Sequence, residues 1–254
     1  MFSDLNNKII VITGGNGFLG SQFASAFLDK NSKVIVLDIV KKKLNHKNLY
    51  FYKCDITNEN IVKKILNKIK KKFKKVDVLI NNAAIDHLPR NKKINNNLES
   101  FNLHKWNKEI NVGLTGALIC SKIFGFLMSK QKKGGVILNM SSDLGIIAPN
   151  QKIYSNLNFI KPVTYSVIKH GIIGLTKYTA SYWGKNNIRC NALAPGGVQQ
   201  NFDRKFVKKL RKIIPQNRMA KLNEYNSIVL FLCSDESSYM TGTTVIADGG
   251  RTII

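Results

Sequence analysis

Acidic residues are scarce in this chain of 254 residues: 15 Asp and Glu stand against 40 Lys and Arg, for a formal charge of +25 at neutral pH. An excess of that size raises the question of nucleic acid, but the way the charge is distributed argues against it. The densest run, Lys63 to Lys75, alternates with Ile61, Ile65, Leu66, Ile69 and Phe73 at helical spacing, the pattern of an amphipathic helix with a solvated lysine face. Neither arginine forks nor interleaved exposed aromatics accompany the run, so no nucleic-acid partner is expected. The field that remains would attract phosphorylated small molecules.

Cysteine and proline are also few. Cys54, Cys120, Cys190 and Cys233 lie far apart without metal-ligand spacing, and the start MFSDLNNK has no apolar signal core; no metal is expected, and a reducing cytoplasm fits. Long hydrophobic runs are missing too. The most apolar stretch, Leu114 to Met128, is interrupted by Lys122 and is too short to span a bilayer, so no membrane passage is expected. Linkers and internal repeats are absent, which favours a single domain over 1–254.

What is present is a regular alternation. Short β-branched runs at Lys8 to Thr13, Lys33 to Asp38, Leu49 to Cys54, Val76 to Asn81, Val136 to Met140, Ile188 to Leu193 and Thr243 to Ala247 predict about seven strands. Helical patterns separate most of them, the longest near 104–130 and 164–185. This predicts an α/β Rossmann fold, a doubly wound parallel sheet with helices on both faces. Such sheets bind ligands at the carboxyl ends of their strands, beside the point where strand order reverses.

The motifs fall at those ends. Thr13 to Gly20 spells TGGNGFLG directly after the first strand, with Gly14, Gly17 and Gly20 spaced for a tight turn, close approach to a pyrophosphate and helix packing. Asp38 closes the second strand, where a carboxylate accepts hydrogen bonds from adenosine ribose hydroxyls and repels a 2′-phosphate. Ile39 and Val40 follow rather than arginine, which favours NAD, while Lys41 to Lys43 leave NADP open. Tyr165 and Lys169, in YSVIK, are four apart and share a helical face. A free phenol, with a pKa of about 10, exchanges protons poorly near neutrality, and a neighbouring ammonium stabilises its phenolate. Tyr165 is then a general acid in reduction and a general base in oxidation. Ser141-Ser142 closes the fifth predicted strand.

The glycine turn, Asp55 in CDIT, Asn81-Asn82-Ala83-Ala84, the serine pair, YSVIK, Pro195-Gly196-Gly197-Val198 and the ending SSYMTGTTVIADGG together resemble the short-chain dehydrogenase/reductase family over nearly the whole chain. The resemblance implies a catalytic set of Ser142, Tyr165 and Lys169, with Ser141 the open alternative. It implies a cofactor surface in which Asn16, Phe18 and Leu19 join the glycine turn and Ile39 joins Asp38. Asp55 and Ile56 would form the adenine pocket, with Asn82, Ala83, Ala84, Pro195, Gly196 and Val198 toward the nicotinamide. The chain departs from the family in its TGxxGxxG spacing, in Ala84, in Gln200 near the usual threonine, and in Gly113 at the position of the usual helix asparagine. Asn111, two residues earlier, belongs to a different helical face and is expected to be structural.

From Ser142 to Tyr165 is 23 positions, around ten more than the family usually has, so GIIAPNQKIYSNLNFIKP must loop out over the site. Two substrate loops are therefore expected, near 86–102 and 145–162, with His87, Arg90, Tyr154 and Asn156 as candidate substrate contacts. The long insert, Gly113 and PVTYSVIKHGIIGLTKY resemble dehydrogenases of flagellin-modification and nonulosonic-acid sugar pathways. That likeness implies a phosphorylated or nucleotide-linked sugar as substrate. The alternatives are a 3-oxoacyl-(acyl-carrier-protein) reductase and a non-catalytic dinucleotide sensor. A homo-oligomer, tetramer or dimer, is implied by the family resemblance.

Overall fold

The structure, a computed structural model, describes residues 1–41, 46–85, 96–155, 157 and 159–254. His87, Arg90 and Asn156 lie outside the described residues.

Seven parallel strands form one sheet in the order β3-β2-β1-β4-β5-β6-β7: β1 (Ile9–Thr13), β2 (Lys33–Asp38), β3 (Leu49–Lys53), β4 (Val78–Asn81), β5 (Gly135–Met140), β6 (Ile188–Pro195) and β7 (Thr244–Ala247). All five residues of β1 are buried, as expected for a strand covered on both faces. Its side chains alternate between two cores. Ile10 and Ile12 pack with Phe23 and Phe27 of α1 (Phe18–Leu28) and Val229 and Leu232 of α7 (Asn226–Cys233). Ile9 and Val11 pack with Ile65 and Ile69 of α2 (Glu59–Phe73) and with Cys120, Phe124 and Met128 of α4 (Gly116–Met128). The period of two along each strand thus sorts one sequence into two apolar layers.

The lysine-rich run is α2. Asn58 caps it by accepting from the Ile61 N–H; Val62, Ile65 and Ile69 are buried, and the lysines from Lys63 onward face outward. The next helix is longer than the apolar run suggested. α3 (Leu103–Ile110), a π turn over Asn111–Thr115 and α4 form one continuous helix, Leu103–Met128, long and apolar enough by length and composition to cross a membrane. Here it covers the sheet, with α4 against β4 and β5. Small residues let this helix approach Ile168 and Ile56 closely. A Cβ at Gly113 would meet Ile168 Cγ2 at 2.8 Å, and one at Gly116 would meet Ile56 Cδ1 at 2.7 Å.

Packed beside it lies α5 (Val163–Trp183), entered through Pro162, whose fixed φ suits the approach to a helix. The insert before it folds as a satellite core. Ile153, Tyr154 and Phe159 pack on Phe206 and Leu210 of α6 (Arg204–Lys212) and on Met219. Tyr154 stacks on Phe206 with ring centroids 5.3 Å apart.

Candidate active site

Chain order runs outward from β1 to β3, then returns to β4 on the other side, so the reversal lies between the carboxyl ends of β1 and β4. The glycine turn sits there. Gly14 has φ +61°, a conformation that strains any L side chain, and a Cβ on it would meet Ala83 Cα at 2.8 Å. At Gly20 a Cβ would lie 2.3 Å from the Gly14 carbonyl oxygen, so the turn closes only with glycine. Thr13 and Asn82 lock the two strand ends together: the Asn82 and Ala83 N–H groups donate to Thr13 Oγ1, and Asn82 Nδ2 donates to the carbonyls of Thr13 and Gly14. Asn81 braces the neighbouring strand by donating to Asn139 Oδ1 and Ser121 Oγ.

A cleft of about 1070 Å³ opens above this seam. One end is lined by Gly14, Gly17, Phe18, Leu19, Asp38, Ile39, Asp55 and Ile56; Asn82, Ala83, Ala84, Pro195, Gly196 and Val198 carry it toward Tyr165 and Lys169. Its volume reaches the upper limit of ordinary ligand sites, ~300–1,000 Å³. Asn16 is not among the lining residues. Its N–H donates to Asp38 Oδ2 and its side-chain amide to the Val40 carbonyl, so it fastens the glycine turn to the end of β2. The N-cap of α1 is Gly17, which contributes no side-chain hydrogen bond, so the first-turn N–H groups keep their capacity for an anion. An uncapped helix start with a ribose-type carboxylate at the next strand end fits a dinucleotide pyrophosphate and adenosine.

At the other end, Lys169 is buried and donates to the Met140 carbonyl at 2.8 Å, with its Nζ 5.6 Å from the Tyr165 ring centroid. The two serines are not equivalent. Ser141 lines the cleft, but its single hydroxyl proton goes to the Lys169 carbonyl at 2.8 Å, tying β5 to α5. Ser142 is not among the lining residues; it donates to Asp143 Oδ1 at 2.7 Å and accepts from the Leu144 N–H. Asp143 in turn pairs with Arg251 Nη1 at 2.6 Å, both side chains nearly fully buried at the cleft wall.

Several cleft residues escape a reading built on motifs. His104, Asn107 and Lys108 of α3 and Asn111 just after it line the cleft at spacings of three, four and seven, so helical periodicity would have found them. Asn111 thus faces the cleft, contrary to the structural role expected for it, while Gly113 is buried against Ile168. Asp143 and Arg251 lie 108 residues apart and carry no joint signature. Tyr154 lines the cleft as a buried ring stacked on Phe206.

The model of a family described as enoyl-(acyl carrier protein) reductase matches residues 18–252. The 3-oxoacyl-(acyl-carrier-protein) reductase of Thermotoga maritima is 32% identical, covering 98% of this chain and 99% of its own. Post-translational flagellin modification protein A of Campylobacter coli is 30% identical, covering 97% and 98%. A short-chain dehydrogenase from Leptospira borgpetersenii with bound NAD+ superposes with a TM-score of 0.90 at 30% identity, covering 99% of this chain and 96% of that one.

Proposed function

This chain belongs to the short-chain dehydrogenase/reductase family and is an NAD(P)-dependent oxidoreductase, and from that premise we propose that it moves a hydride between NAD(H) and a carbinol or ketone carbon of an anionic sugar. The sugar is phosphorylated or nucleotide-linked and belongs to surface-glycan or flagellin-glycan biosynthesis. The observation that carries this reading is the single cleft joining the glycine turn and Asp38 to Tyr165 and Lys169, with His104, Lys108 and Lys161 on its substrate side. Similarity to a flagellin-modification protein supports the flagellin-modification setting from which the sugar is inferred, and Asp38 with an NAD+-bound relative supports NAD over NADP.

When bound, NAD(P) supplies the nicotinamide carbon that accepts or donates the hydride. Tyr165 transfers the proton at the substrate oxygen, and Lys169, held by the Met140 carbonyl, stabilises the phenolate. The family resemblance assigns polarisation of the substrate oxygen to Ser142, whose proton rests on the Asp143 carboxylate at the cleft wall. Leu118 and Phe126 on α4, with Val167, Tyr178 and Tyr182 on α5, present exposed apolar surface on the two long helices, which supports a homo-oligomer assembled there.

The test is incubation with NAD and panels of sugar phosphates, nucleotide sugars and acyl thioesters, monitoring NADH. Turnover with a sugar of the first two panels is expected. Turnover confined to acyl thioesters would replace this reading with the 3-oxoacyl reductase, which the relative from Thermotoga supports. Tyr165→Phe is expected to bind NADH normally and to lose about 10²–10⁴ in turnover.

A further inference from the structure

The long insert brings a second ammonium to the phenol. Lys161 is buried, and its Nζ lies 3.7 Å from the centroid of the Tyr165 ring, closer than the 5.6 Å of Lys169. Its backbone is pinned on both sides. The Lys161 N–H donates to Gln151 Oε1 while Gln151 Nε2 donates to the Lys161 carbonyl, both at 3.0 Å, and Asn96 Nδ2 donates to the preceding Ile160 carbonyl at 2.7 Å. Pro162 follows and starts α5. These bonds hold the Lys161 backbone beside the Tyr165 helix.

A cation over an aromatic face is attracted by the ring quadrupole, and the attraction grows when the ring carries the negative charge of a phenolate. We propose that Lys161 is a positioning residue that stabilises the phenolate of Tyr165 jointly with Lys169, so that proton transfer in this enzyme depends on a cation supplied by the insert. The proposal rests on the assignment of Tyr165 as proton carrier.

The charged and titratable groups around the phenol fix what the experiment must hold constant. Lys169 shares α5 with Tyr165; His104 and Lys108 line the same cleft from α3; Asp143 and Arg251 form a neutral pair at its wall; Tyr154 lies in the insert; and buried Glu109 accepts from Thr164, beside Tyr165. None of them is altered by substitution at Lys161.

Tyrosinate absorbance is followed against pH in wild type minus Tyr165→Phe, which isolates one phenol among eight tyrosines. The same difference is then taken in a Lys161→Met background. The Tyr165 midpoint is expected to rise by about one pH unit with Lys161→Met and to return with Lys161→Arg, which keeps the charge. Lys161→Gln serves as a second neutral variant if the methionine protein does not fold. An unchanged midpoint in the neutral variants, or an equal rise with Lys161→Arg, overturns the proposal. Because the readout needs no substrate, the shift in a protein that oxidises no sugar leaves the role of Lys161 intact and removes only the sugar reading.

Discussion

Asp143→Asn removes one charge from a buried pair while preserving shape. The side chains of Asp143 and Arg251 are 4% and 6% exposed, and Nη1 to Oδ2 is 2.6 Å. Among the described residues, Arg251 Nε and Nη2 have no hydrogen-bond partner, so Asp143 is the acceptor that compensates this guanidinium. Deleting one partner of a buried ion pair leaves an uncompensated charge and costs about 3–5 kcal/mol. At roughly 2–4 °C per kcal/mol for a domain of this size, the melting temperature should fall by about 6–20 °C. Denaturant titration and calorimetry measure both quantities. Adding Arg251→Met should restore most of the loss, since the double variant buries no unpaired cation. A loss below about 1 kcal/mol in Asp143→Asn, or a double variant no more stable than the single one, would refute the assignment of this pair as a coupled buried unit.

Two further expectations follow from the cleft and the core. Asp38→Ala removes the carboxylate that receives the Asn16 and Val40 N–H groups and opposes a 2′-phosphate, so the preference for NAD over NADP should relax; steady-state kinetics with both cofactors checks it, and a wild type that already prefers NADP contradicts it. All four cysteines are buried, and burial pushes the thiols up, Cys54 to about 11 and Cys190 and Cys233 to about 12, with Cys120 higher still. A thiol whose pKa is raised stays protonated until the pH climbs past it, so the native protein should resist a thiol-specific disulfide reagent at pH about 8 and expose all four groups once unfolded.

Gly14 and Gly20 illustrate what local chemistry makes readable. A turn that closes at φ +61° and 2.3 Å from a carbonyl admits one residue type, and its place between a β-branched run and a helix names the dinucleotide end. Tyr165 and Lys169 are readable for a similar reason, since four residues on a helix share a face. Asn111 was set aside because it shares no face with Gly113, yet it is Asn111 that continues the cleft-lining face of His104, Asn107 and Lys108, while Gly113 packs on Ile168. Ser141 and Ser142 are adjacent and chemically alike. What separates them is the acceptor each proton finds, the carbonyl of Lys169 for one and the carboxylate of Asp143 for the other.

Strand periodicity, glycine spacing and helical offsets are written within short windows of chain, and from them the seven-stranded parallel sheet and the glycine turn at its strand-order reversal followed without coordinates. The pairing of Asp143 with Arg251, the stacking of Tyr154 on Phe206 and the delivery of Lys161 to the Tyr165 ring join residues from separate loops and helices. Only packing decided those, because a side chain's charge partner and burial depend on neighbours that the backbone brings together after the sheet has formed.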